Sequence, residues 1–218
     1  MAQATLTISS KNYSSWSLRG WLLCKLSGLN FTEAPVDPDD ADYRQELLLL
    51  SPSVRVPRLT HGTVAVWDTL AIAEYLNETF PDAGLYPRDV ARRAHCRAIS
   101  GEMHSGFYNL RSALPMNLKA RHKSFKMFSG ARPDVDRVRT IWQECLDAYK
   151  GPFLMGDTPS VADAMFAPVC TRFRTYAVDM GPQLEVYIDH ILAWAPMQEW
   201  TGGALAEPEE ILELEVEF

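Results

Sequence analysis

The stretch SPSVRVPRLTHGTVAVWDTLAIAEYL, from Ser51 to Leu76, decides the fold. RLT and TVAVW are short strand-like runs, and His61-Gly62 between them reads as a two-residue turn joining antiparallel strands. LAIAEYLNETF follows at helical spacing and ends near Phe80. Pro57 stands at the entry of the first strand, where its missing N–H breaks no central ladder. Two geometries are open to it. A trans bond makes it the plain start of an edge strand. A cis Val56-Pro57 bond turns the chain sharply and directs the N–H and C=O of Val56 outward, a short edge for an extended ligand.

Asp68 and Thr69 open the helix that follows. Both residue types are good N-caps, which accounts for them without any ligand. A helix start also offers free N–H groups and the positive end of the macrodipole to a carboxylate, while Asp68 can accept from an ammonium group. An amino acid head group needs both features. With Arg55 beside them, the peptide edge and the helix mouth suit a small anionic peptide.

Outward from this stretch, ATLTISS reads as a strand and a helix runs from about Ser17 to Ser27, with Gly28 at its left-handed C-cap. NFTEAPVD gives a second strand and ADYRQELLLL a short helix. The order is βαβ, short helix, ββα. FPDAGLYP reads as a linker. Beyond Arg88 the pattern is helical throughout, over about 89–114, 132–149, 160–178 and 183–200. The expected layout is an α/β unit over 1–80, a linker over 81–88, an all-α unit over 89–206 and an acidic tail over 207–218.

The net charge of −7 sounds like a global bias, but removing the six glutamates of the tail EPEEILELEVEF leaves −1. No nucleic-acid partner is expected, since that would want a basic excess. No apolar run reaches the roughly 18 residues of a membrane span, and MAQATLTISS lacks the basic start and apolar middle of a secretory signal. The expected address is the cytoplasm, with no membrane partner. Cysteines at 24, 96, 145 and 170 show neither CxxC nor Cys/His pairing, so buried reduced thiols are expected and no metal site.

Ser51–Leu76 resembles the glutathione-site half of the glutathione transferase superfamily, where a cis Val-Pro precedes the third strand and an acid/hydroxyl pair starts the third helix. The resemblance implies a thioredoxin-like N-terminal domain, an all-helical C-terminal bundle, glutathione as co-substrate and a homodimer. It further implies that Val56 pairs with the cysteinyl residue of glutathione, that Asp68 and Thr69 hold its γ-glutamyl end, and that Arg55 approaches the glycyl carboxylate. KNYSSWSLRGWLLCKL, at the junction of the first strand and helix, carries Ser14 five residues before Arg19, the spacing of serine-type members.

Ser14 is on that resemblance the catalytic residue. A free thiol has a pKa of about 8.5. A hydroxyl donating to sulfur next to a helix N-terminus favours the thiolate. Glutathione is then the nucleophile and attacks a small hydrophobic electrophile. Helix capping is the other role open to Ser14, and Tyr13 and Ser15 are rival donors. SSWSLR also resembles the SSCSxR pattern of the zeta class, which includes maleylacetoacetate isomerase, with Trp16 in place of its cysteine. A glutathione-dependent isomerase and a non-catalytic binder of apolar ligands are therefore the alternatives to a transferase.

In TPSVADAMFAPV, Ser160 and Asp163 have capping-box spacing, a folding feature. His104, Phe107, Tyr108 and Arg111 share one face of the expected long helix and either line the co-substrate pocket or pack in the core or a dimer contact. Arg88, Arg92, Arg93 and Arg97 read as a solvated helix face. The alternating apolar residues of the tail either cover the pocket or stay loose.

Overall fold

The computed structural model describes residues 3–36, 56–123 and 125–208. Four strands, β1 (Ala4–Ile8), β2 (Thr32–Pro35), β3 (Arg58–His61) and β4 (Val64–Trp67), form one mixed sheet in the order β2-β1-β3-β4. β1 runs parallel to β2 and antiparallel to β3, with Leu6 opposite Glu33 on one side and Leu59 on the other. Two helices flank it, α1 (Ser15–Ser27) and α2 (Thr69–Thr79). Alternation in ATLTI turns Ala4, Leu6 and Ile8 inward. Leu6 and Ile8 meet Leu18, Trp21 and Leu22 of α1 and Ile72, Ala73 and Leu76 of α2 in one core.

The helical remainder comprises α3 (Val90–Ser105), α4 (Tyr108–Ala113), α5 (Arg132–Tyr149), α6 (Val161–Thr175), α7 (Pro182–Ala193) and α8 (Ala195–Ala206) among the described residues. α6 is buried on nearly every side and packs against α1, α3 and α7. The apolar run VADAMFAPV suits such a central position. Its start holds the expected capping box, in which Asp163 accepts from Ser160 N–H and Oγ, both at 2.9 Å. Leu154 N–H (2.9 Å) and Tyr187 Oη (3.2 Å) also donate to this fully buried carboxylate.

Several expectations need correction. The turn between β3 and β4 is Gly62-Thr63, since His61 still pairs with Val64. The long helix over 89–114 is two helices, because the chain leaves helical geometry at Gly106 and Phe107 takes a left-handed φ of 60°. The helix over 183–200 is likewise two, broken at Trp194, which takes an extended ψ of 132°; Pro196 sits in the first turn of α8, where its missing N–H costs nothing. The arginine stripe is not simply solvated: Arg97 forms a bidentate pair with Glu74 of α2 at 2.9 and 3.0 Å. Arg92 donates to the Met155 carbonyl, and Arg93 to those of Pro87 and Arg88. ADYRQELLLL and most of the acidic tail lie outside the described residues.

Candidate active site

The site is built where α1, the start of β3 and the start of α2 meet. The Val56-Pro57 bond is cis, and Val56 is buried against the beginning of β3. α1 approaches this bend closely enough to require glycine: a Cβ at Gly20 would stand 2.5 Å from the Pro57 Cβ. Gly28 ends the helix as expected, at φ 72°, with its N–H donating to Lys25.

Asp68 caps α2. Its carboxylate accepts from Leu70 N–H at 2.8 Å while its backbone holds a φ of 68°. The same carboxylate accepts from His104 Nε2 of α3, tying the helix mouth to the helical unit. Partial burial opposes ionisation of Asp68, but the bonds from His104 and the α2 backbone and the His104 charge prevail and hold its pKa below the ordinary carboxylate value. Thr69 is 1% exposed, and its hydroxyl is buried without a hydrogen-bond partner. Arg55 lies outside the described residues.

Ser14 is the N-cap of α1. Its Oγ accepts from Ser17 N–H at 3.2 Å and donates to Ser17 Oγ at 2.9 Å. Ser17 Oγ in turn accepts from Ser9 N–H at 3.0 Å, so the serines weld the end of β1 to the start of α1. The rivals Tyr13 and Ser15 are buried beside Ser14. Ser15 Oγ accepts from Arg172 Nη2 of α6 at 3.2 Å, which leaves its own proton available to a third group.

Two models of one family match the chain. The N-terminal domain of glutathione S-transferase covers residues 13–79 and the C-terminal domain residues 119–196, together about two thirds of the sequence. The chain belongs to the glutathione S-transferase superfamily. A probable maleylacetoacetate isomerase of Caenorhabditis elegans is 27% identical over 168 residues, covering 77% of this chain and 78% of that one. Glutathione S-transferase 1 of Dianthus caryophyllus is 28% identical over 179 residues, 81% of each chain. Among solved structures, a Burkholderia glutathione transferase homolog with bound glutathione superposes with a TM-score of 0.70 at 22% identity, covering 95% of this chain and 100% of that one. The fold is thus the thioredoxin-like sheet and helical bundle of the glutathione transferases.

Within that transferase fold, α3 and α4 complete the site. The expected shared face is divided among different tasks. His104 meets Asp68 and lies 5.2 Å from the Trp16 ring; Arg111 stands 4.8 Å over the same ring; Phe107 is buried and Tyr108 exposed. Three contributors escaped the sequence reading. Arg172 was hidden in an apolar helix, although an arginine in such a run is itself a signal, because the residue is rarely buried without a purpose. Asn12 Oδ1 accepts from Leu118 N–H at 2.7 Å and fixes the loop after α4. Glu207, read as tail, accepts from Ser10 Oγ (2.8 Å) and from the N–H groups of Lys11 (2.7 Å) and Asn12 (3.1 Å), while Lys119 Nζ donates to its carbonyl. Among the described residues, no cluster of three or more His, Cys, Asp or Glu is placed to hold a metal, and no helix is long and apolar enough to cross a membrane.

Proposed function

We propose that the protein is a glutathione transferase whose α/β domain, over 1–80, holds the tripeptide and whose helical domain, over 89–206, supplies the wall for a small, largely apolar electrophile. The buried, unpartnered Thr69 hydroxyl at the mouth of α2 carries this reading. A buried hydroxyl is normally paired, and one at a helix start beside an ionised Asp68 fits a γ-glutamyl head group, with the carboxylate on Thr69 and the α2 amides and the ammonium on Asp68. Val56 would pair in extended fashion with the cysteinyl residue, and Arg55 would take the glycyl carboxylate.

Sulfur then comes to the N-terminus of α1, where the Ser14 hydroxyl turns from Ser17 to donate to the thiolate. Rotation of one hydroxyl is all this needs. The thiolate attacks the electrophilic carbon, forming the C–S bond as the leaving group departs or a proton is taken up. Four free, buried cysteines support a reducing, cytoplasmic setting. Val64 and Trp67, exposed on the outer strand β4, support a homodimer.

The test is turnover of a generic aryl halide together with a titration of bound glutathione by thiolate absorbance. Ser14→Ala is expected to lower kcat by about a hundredfold and to raise the thiol pKa. Unchanged turnover in Ser14→Ala with abolition in Tyr13→Phe or Ser15→Ala would move the donor role to that residue. Glutathione binding with no lowering of its thiol pKa would leave only a sequestering protein.

A further inference from the structure

Two segments of the chain are opposite in charge. From Lys119 to Arg132 there are five Lys and Arg and no acid; from Glu207 to Phe218 there are six Glu and no base. The structure joins their near ends, since Lys119 Nζ donates to the Glu207 carbonyl. Just beyond Lys119 a cavity of about 440 Å³ opens between the basic segment and the end of α6. Phe173, Ala177 and Val178 give it apolar surface, and Arg121, His122 and Lys123 a basic rim. It shares no residue with the site around Ser14 and Asp68.

The rim is not neutralised from within the described residues. Arg121 Nη1 donates to the Leu118 and Ala120 carbonyls at 2.9 and 2.6 Å, and no carboxylate there pairs with Arg121, Lys123 or Lys126. The acids that also border the cavity are already engaged: Glu185 pairs with Arg174, and the Asp179 carboxylate accepts from Gly181 N–H at 2.9 Å. An inorganic anion would satisfy the rim and leave the apolar surface wet. An uncharged apolar ligand would do the reverse. The complement is a ligand that is apolar on one side and acidic on the other.

We propose that this cavity seats the chain's own tail, Leu212 to Phe218, a segment outside the described residues. Leu212, Leu214, Val216 and Phe218 alternate with Glu213, Glu215 and Glu217. In an extended segment the two sets face opposite ways. The apolar set meets Phe173 and Val178, and the long side chains of Arg121 and Lys123 reach round to the glutamates. The reach fits. Four residues separate Lys119 from Lys123, at most about 15 Å, which an extended chain leaving Glu207 covers in about five residues and so arrives with Leu212. Tethering at Glu207 makes seating intramolecular and favours it over the tail of a second copy. The cavity is also linked to the turn before Ser14: His122 N–H donates to the Thr175 carbonyl at 2.7 Å, Thr175 Oγ1 to the Asn117 carbonyl at 2.8 Å, and Asn12 Nδ2 to Asn117 Oδ1 at 3.1 Å. A seated tail therefore braces the loop on which that turn rests. None of this depends on the transferase reading.

The experiment is zero-length carbodiimide crosslinking of the full chain, mapped by mass spectrometry on a mixture of isotopically light and heavy protein. The Lys25–Glu199 pair, at 2.7 Å, serves as the internal control. Crosslinks from Lys123 or Lys126 to Glu213, Glu215 or Glu217 within one chain are expected, and are expected to fade in about 0.5 M salt. A second arm titrates a peptide of residues 209–218 into a chain ending at Pro208, which keeps Glu207. The peptide is expected to bind, with Lys123→Glu weakening it about threefold to tenfold and Val178→Glu tenfold or more. Lys123 is exposed, so its variant keeps the question answerable if Val178→Glu fails to fold. Absence of tail crosslinks where the control pair reacts, or a peptide affinity indifferent to Lys123→Glu, overturns the proposal. Crosslinks found only between light and heavy chains overturn the chain's own tail as occupant and assign the cavity to a second copy.

Discussion

Replacing Thr69 with valine should separate folding from binding, with opposite signs. The Thr69 hydroxyl is buried and unpartnered, so in the free protein it carries a desolvation penalty with no bond in return. Such a group costs about 1–3 kcal/mol. Valine keeps the branched shape and removes the polar atom, while Asp68 remains to cap α2 through Leu70 N–H. Thr69→Val is therefore expected to gain about 1 kcal/mol in the free protein, a rise in Tm of about 2–4 °C for a chain of this size. Glutathione loses a hydrogen bond to its carboxylate, worth about 1.5–3 kcal/mol, so its Kd should rise about tenfold to a hundredfold. Scanning calorimetry without ligand and titration calorimetry with glutathione read the two effects independently. A Tm that falls by more than about 2 °C, or a glutathione Kd that does not change, would refute the reasoning.

Three further outcomes follow from the same geometry. The lowered pKa of Asp68 contributes stability that is present above the unfolded value of about 3.9 and is lost as pH falls through the folded one, so Asp68→Asn should be less stable than the parent at neutral pH and converge with it in acid. A gap in denaturant midpoint that stays constant into acid would contradict this. Asp163→Ala strips partners from Leu154 N–H, Ser160 N–H and Tyr187 Oη in the core and should cost about 3 kcal/mol or more in chemical denaturation; a loss under about 1 kcal/mol would show that the network relaxes. Gly20→Ala puts a methyl into the Pro57 ring, so a loss of about 1–3 kcal/mol with weakened glutathione binding is expected, and an unperturbed melting curve would mean that the helix shifts freely.

Local chemistry was legible in the sequence where one segment determines it. The capping box at Ser160, the left-handed Gly28 and the strand pair around Gly62 are each set by neighbours a few residues apart, and each was anticipated. The break between α3 and α4 was not, because it depends on Phe107, a bulky residue in a left-handed conformation that no local preference favours. The break before α8 had a signal in Pro196 that helical periodicity outweighed. Of the candidate site, Asp68, Thr69 and Ser14 could be placed at helix starts because cap residues announce them, while their proposed roles came from the family resemblance. The partnership of Asp68 with His104, and that of Ser15 with Arg172, are products of tertiary folding. Their members are separated by tens of residues and carry no mutual spacing to detect.

The Glu207 carboxylate fastens two distant parts of the chain to each other. The turn it clasps, Ser10 to Asn12, precedes the eight helices described above in the chain, and Glu207 follows them. A chain cut after Ala206 would lose the three bonds from this carboxylate to the turn leading into Tyr13 and Ser14, while the Asn12 bonds to Asn117 and Leu118 and the Trp200 bond to the Lys11 carbonyl would remain. Trimming there is expected to loosen this turn rather than to unfold the protein.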